Sequence, residues 1–222
     1  MSKQEPIKAM EIHGEKKKIV LAGNPNVGKS VFFNSLTGIY VDVSNFPGTT
    51  VDVSHGHFEE YAVIDTPGVY GISSFNDEEK VARDVILTAD LIVNVVDAVH
   101  LERDLFLSLQ VIETGIPTII VLNMMDDAKR EGLKIDLALL EEQLGVPVIP
   151  AVAIKGKGLK ELKEKLREAR TGNIPLERQA QLKALTCRNY CRQSEALLSL
   201  EGDEKVTKRI GVAPGTQREE IY

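Results

Sequence analysis

The sequence predicts an α/β fold, a mostly parallel six-stranded sheet with helices on both faces followed by a small C-terminal helical subdomain. Three observations carry this reading. Short apolar, β-rich runs alternate with amphipathic stretches from Lys18 to Arg170; a glycine-rich loop, Gly23 to Ser30, joins the first such run to a helix-like segment; and strand signals stop beyond Thr171-Gly172-Asn173-Ile174-Pro175.

The strands are expected at Lys18 to Ala22, Thr50 to Phe58, Tyr61 to Asp65, Ala89 to Asp97, Pro117 to Asn123 and Val146 to Val152. Only Glu59 and Glu60 separate the second from the third, a link too short for a crossover, so these two pair as an antiparallel hairpin. Helical spacing appears at Lys29 to Leu36, Glu78 to Thr88, Leu101 to Thr114, Leu137 to Leu144 and Leu159 to Ala169, with Gly38, Gly115 and Gly145 placed as C-terminal caps. Gln181 to Leu200 has a helical period again, and Val206 to Tyr222 is less patterned. The divisions are a lead-in over 1–17, a main domain over 18–170 and a helical subdomain over 171–222.

The 222 residues suit one α/β domain with a small appendage. A hydrophobic fraction of 43%, a charged fraction of 27% and a net charge of −6 describe a soluble chain whose surface does not favour nucleic acid. Apolar runs such as Leu91 to Val96 are too short to span a bilayer, and the N-terminus lacks the apolar core of a signal peptide. Cys187 and Cys191 share a helix face without further ligands in sequence, which fits packed free thiols.

Gly23-Asn24-Pro25-Asn26-Val27-Gly28-Lys29-Ser30 matches the phosphate-loop pattern in its required setting, after a strand and before a helix. Its backbone N–H groups curl round a phosphate chain, Lys29 reaches the β- and γ-phosphates, and the Ser30 hydroxyl ligates Mg²⁺. The helix dipole adds to the attraction. Asp65-Thr66-Pro67-Gly68 ends a strand, where the Asp65 carboxylate is expected to hold Mg²⁺ through water and the Gly68 N–H to sense a γ-phosphate. Thr49 and Thr50 lie in the preceding loop, where a hydroxyl completes the Mg²⁺ shell only with triphosphate bound, making the loop a switch.

Asn123-Met124-Met125-Asp126 closes a buried strand with an NxxD pattern suited to guanine: the Asp126 carboxylate accepts from two guanine N–H groups, and Asn123 ties the base loop to the phosphate loop. Adenine would leave the carboxylate unpaired. Val152-Ala153-Ile154 follows the last strand, where a further loop contacts the base through the Ala153 N–H.

In this order the motifs are those of a P-loop GTPase, and the chain resembles the cytosolic N-terminal G domain of the ferrous iron transport protein B family. The resemblance rests on Gly23 to Ser30, on Asn45-Phe46-Pro47-Gly48-Thr49-Thr50-Val51-Asp52, on Asp65 to Gly71 with Asp77 to Asp84, and on Asn123 to Asp126. It extends to Ala196 to Asp203 and Arg218 to Tyr222, which look like part of the family's helical domain, proposed to inhibit GDP release. It selects Thr50 over Thr49 for the metal. It also implies GTP and GDP as ligands, a regulatory role in ferrous iron transport, and a membrane domain as partner, so that the full-length protein sits at the cytoplasmic face of the cell membrane. Val152 departs from the polar residue common in the family's base loop, and the chain stops before the family's further helices.

Val69 occupies the position where many switch GTPases have a water-orienting Gln, so slow intrinsic hydrolysis is expected, on the order of 10⁻⁴ to 10⁻² s⁻¹. In potassium-activated relatives an Asn at the position of Asn26 helps hold K⁺ between the α- and γ-phosphates; a turn role in Asn-Pro-Asn is the alternative. His55 and His57 share a strand face but lack a third ligand, and Asp77, Glu78 and Glu79 suit a helix start. Two other readings share these motifs: a free cytosolic switch GTPase of ribosome assembly or tRNA modification, disfavoured by the acidic balance, and an assembly module working as a homo-oligomer.

Overall fold

The structure is a computed structural model that describes residues 16–38, 42–45, 49–72, 76–189, 193–200, 203 and 206–207. In chain order the elements are β1 (Lys17–Gly23), α1 (Lys29–Thr37), β2 (Asp42–Asn45), β3 (Asp52–Phe58), β4 (Tyr61–Asp65), α2 (Asp77–Ile86), β5 (Leu91–Asp97), α3 (Leu101–Glu113), β6 (Thr118–Asn123), α4 (Met125–Arg130), α5 (Leu137–Leu144), β7 (Val148–Pro150), α6 (Leu159–Lys165), α7 (Leu176–Asn189) and α8 (Gln193–Leu200).

Among the described residues the strands form one sheet in the order β2-β3-β4-β1-β5-β6-β7. β1 pairs in parallel with β4 and β5, and β5, β6 and β7 continue in parallel, whereas β3 runs antiparallel to both β2 and β4. The sheet therefore has seven strands where the sequence predicts six. The extra strand, β2, reads Asp-Val-Ser-Asn, and its only apolar residue, Val43, is 61% exposed, so this edge strand carries no hydrophobic alternation to announce it.

β1 is flanked on its two sides by β4 and β5, which the chain reaches by different routes, so a crevice opens beyond the carboxyl end of β1, where ligands of open α/β sheets bind. The core explains why β1 reads as a continuous apolar run. Ile19 and Leu21 pack with Phe32, Phe33 and Leu36 of α1 on one face, while Val20 and Ala22 pack with Val81 and Val85 of α2 and Leu107 and Val111 of α3 on the other. Both faces are covered, so neither set can be polar.

Local signals set the helix ends. The Asn76 side chain accepts from Glu79 N–H at 2.8 Å to start α2, and Asp136 accepts from Leu139 N–H at 3.0 Å to start α5. α5 ends at the expected Gly145, in the left-handed conformation at φ 70°. The predicted helix from Leu159 to Ala169 divides into α6 and a 3₁₀ turn over Leu166–Glu168. α4 was not foreseen from the sequence; at six residues it is too short to show a period.

The described residues of the tail helices pack onto the main core. Leu182 and Leu185 of α7 and Ala196, Leu197, Leu198 and Leu200 of α8 join the same cluster as α2 and α3. Polar ties reinforce the packing: Arg83 of α2 pairs with Asp203 at 2.5 Å with both side chains nearly buried, Arg178 pairs with Glu113 at 3.1 Å, and Gln193 donates to the Glu113 carbonyl at 2.9 Å. The Cys187 side chain and Cys191 lie outside the described residues. Among those described, no helix is long and apolar enough to cross a membrane.

Candidate nucleotide-binding site

The loop from Gly23 to Ser30 leaves β1 into the crevice and enters α1. Lys29 lies folded into it, 7% exposed, with Nζ donating to the carbonyls of Gly23 and Asn24, both at 3.1 Å. Burial pushes its pKa down, opposed by the charges of Asp65 and Asp104. Gly28 has φ 93°, and a Cβ there would stand 2.7 Å from Asn123 Nδ2, so the loop requires glycine by conformation and by contact.

The Ser30 hydroxyl donates to Asp65 Oδ2 at 2.9 Å, bringing together two of the three expected Mg²⁺ residues, from α1 and β4. Asp65 Oδ1 is buried without a hydrogen-bond partner among the described residues. An orphaned carboxylate oxygen beside a hydroxyl is a donor set that fits a hard cation or its water, and so fits Mg²⁺. Burial pushes the Asp65 pKa up, opposed by the Ser30 hydrogen bond and by Lys29. A carboxylate with a raised folded pKa binds more protons in the folded state. Its contribution to stability is therefore present below the unfolded pKa and lost as pH rises through the folded one. Asp65→Asn, which cannot ionise, is expected to raise the melting temperature of the nucleotide-free chain at neutral pH and to remove the further rise that Mg²⁺ adds over nucleotide alone; thermal melts of both proteins check this.

Gly68 rests on the phosphate loop so closely that a Cβ would meet Pro25 Cα at 2.6 Å and Pro25 N at 2.7 Å. Val69 N–H donates to the Gly23 carbonyl at 3.2 Å, and the Val69 side chain is 1% exposed, turned into the core. Thr49 Oγ1 accepts from Val51 N–H at 3.2 Å, while Thr50 is exposed and is not joined to the Ser30–Asp65 pair. Residues 46–48 lie outside the described residues. Asn26 is exposed at the crest of the loop with φ 65°, which leaves its amide open to solvent.

On the base side, Asn123 is 4% exposed and used at both ends: Nδ2 donates to the Val27 carbonyl at 2.9 Å and Oδ1 accepts from Ala153 N–H at 3.0 Å. One side chain thus joins the phosphate loop, the end of β6 and the loop after β7. In the ligand-free chain the Ala153 N–H, expected to contact the base, is engaged by the buried Asn123 Oδ1. Val152 N–H donates to the Lys157 carbonyl, and Ile154 is 83% exposed beside it. Met124 has φ 61°, turning the chain so that Asp126 enters the first turn of α4. Asp126 pairs with Lys155 Nζ at 2.6 Å, and that hydrogen bond holds its pKa below the ordinary carboxylate value.

Sequence reasoning missed Asp104 and Lys155. Asp104 had a readable signal: it falls on the face of α3 shared with Leu107, Ser108 and Val111, where a charge interrupts an apolar stripe. Nothing in the sequence pairs Lys155 with Asp126.

The family model described as ferrous iron transport protein B matches residues 17–166. A curated relative, the Fe(2+) transporter FeoB of Salmonella typhimurium (strain LT2), is 40% identical over 178 residues, covering 75% of this chain and 23% of the relative. The chain thus spans about a quarter of the length of the curated relatives it matches. Among solved structures, a GDP-bound mutant of the S. thermophilus FeoB G-domain superposes with TM-score 0.78 at 37% identity, covering 92% of this chain and 86% of that one. The cytosolic domain of L. pneumophila FeoB gives TM-score 0.76 at 34% identity, covering 87% and 84%.

Proposed function

The chain belongs to the ferrous iron transport protein B family as its N-terminal G domain, with the P-loop GTPase fold, and from that premise we propose that it binds and hydrolyses GTP to regulate ferrous iron passage through a membrane domain. The observation that carries the guanine assignment is the double use of Asn123, which joins the loop bearing Lys29 to the loops bearing Asp126 and Ile154. Phosphates and base are then recognised by one connected frame.

In this reading Gly23 to Ser30 hold the phosphates, and the ammonium of Lys29, now satisfied by two carbonyls, turns to the β- and γ-phosphates. Asp126 takes the guanine N–H donors. The backbone of Ile154, next to the committed Ala153 N–H, faces the base with Met124 and Val152 framing the pocket. Ser30, Thr50 and Asp65 would hold Mg²⁺, which when bound supplies positive charge against the β- and γ-oxygens. Thr50 and the Asp65–Gly68 segment are the switch elements: Gly68, now against Pro25, has its N–H to offer a γ-phosphate, and Thr50, now exposed, has its hydroxyl to offer the metal.

Val69 is apolar and buried, so it orients no water, and intrinsic turnover is slow. Asn26 is assigned the K⁺ contact through its exposed amide oxygen. The test is GDP and GTP affinity and GTP turnover in K⁺ and in Na⁺, with ATP as competitor. Guanine-selective binding with turnover at least several-fold faster in K⁺ is expected. Equal turnover in the two salts removes Asn26 from the mechanism, and equal competition by ATP overturns the guanine assignment. The helical subdomain over 171–222, the membrane domain as partner and the cytoplasmic face of the membrane as location belong to the same proposal. Specific activity that rises with protein concentration would add self-association to it.

A further inference from the structure

Asp104 is 2% exposed, yet it stands beneath a loop proposed to hold phosphates. Oδ1 accepts from Asn24 Nδ2 at 2.5 Å and from Arg103 Nε at 2.9 Å, and Oδ2 accepts from Asp97 N–H at 3.0 Å. All three partners are donors, an arrangement that suits an ionised carboxylate. Asn24 is 1% exposed, and its Oδ1 is buried without a partner among the described residues, so the bond to Asp104 is what anchors this side chain at the start of the phosphate loop. The Asn24 carbonyl in turn receives Lys29. Of the two carboxylates that act on Lys29, Asp65 faces the proposed Mg²⁺ position. Asp104 is paired directly with Arg103, whose side chain is 47% exposed.

We infer that Asp104 is a positioning residue of the nucleotide site: it fixes Asn24 at the start of the phosphate loop, and its buried charge weakens the grip on each phosphate that a guanine nucleotide carries. The inference rests on the guanine-nucleotide reading. Geometry and charge act in opposite directions here. The hydrogen bonds order the loop before ligand arrives, whereas the negative charge, only partly offset by a half-exposed arginine, repels an anionic ligand in proportion to its charge.

The experiment compares the affinities of guanosine, GMP, GDP and GTP for the native chain, Asp104→Asn and Arg103→Ala, with melting temperatures alongside. Asp104→Asn keeps an acceptor for Asn24 but leaves the Asp97 N–H facing an amide, so its melting temperature falls. Its affinity is nonetheless expected to rise by about three- to sixfold for each added phosphate charge, with guanosine unchanged, as removal of a partly screened charge beneath the loop would act. Arg103→Ala uncovers the carboxylate from a half-exposed position that folding tolerates, and its affinities should fall with phosphate number instead. A merely structural Asp104 would shift all four ligands equally or none, and that result overturns the inference while native GDP binding persists. Native protein that binds none of the nucleotides overturns both this inference and the reading beneath it.

Discussion

Asp126→Asn is expected to lower GDP affinity by about 10²- to 10⁴-fold with little change in melting temperature, as measured by titration with a fluorescent GDP analogue. A guanine edge presents two N–H donors to this position, and a carboxylate accepts both. An amide offers one acceptor and one donor, so a donor meets a donor and a polar group is left unpaired in the closed site. In the nucleotide-free chain Asp126 is held by Lys155, an exposed pair that contributes little and yields to a base offering two donors in place. Because that pair depresses the Asp126 pKa, the carboxylate stays ionised as pH falls toward its ordinary value. Undiminished GDP binding by Asp126→Asn would show that the base is read elsewhere.

Gly28→Ala is expected to abolish measurable GDP binding and to destabilise the chain by about 2 to 4 kcal/mol. The methyl group would have to share space with Asn123 Nδ2 at 2.7 Å, and Asn123 cannot withdraw without releasing Val27 or Ala153. The left-handed backbone at φ 93° adds its own strain for any residue with a Cβ. Gly132→Ala is the matched control: φ is 77° there and nothing lies within 4 Å of the added carbon, so only the conformational cost, about 1 kcal/mol, should appear. Equal losses at the two positions would mean that Asn123 is free to move and that the link between the loops carries no weight.

The parts of this fold that were legible in sequence are those in which one requirement dominates. β1, β5 and β6 are buried on both faces and read as apolar runs; the phosphate loop and NxxD are legible because Gly28, Lys29, Ser30, Asn123 and Asp126 stand at the fixed spacings of those motifs, each between a strand and a helix. β2 was not legible because an edge strand of four residues with an exposed Val43 is stabilised by backbone pairing to β3, which leaves little mark on side-chain choice. The hydrogen bond from Ala153 N–H to Asn123 was hidden for a similar reason, since any residue but proline could supply that N–H. Lys155 was hidden because its partner arrives from a separate loop 29 residues away.

The ion pair between Arg83 and Asp203 joins groups 120 residues apart, and one of them sits on the helix that follows the Asp65–Gly68 segment. Arg83 also pairs with Asp84 of its own helix at 2.8 Å, so a rotation of α2 that left Asp203 behind would keep one of its carboxylate partners and lose the other. Losing that one partner costs on the order of 1 to 2 kcal/mol, roughly a power of ten in an equilibrium constant. The pair thus sets a margin: a ligand that displaced α2 would have to favour the displaced position by more than that amount, or carry this part of the tail along with the helix.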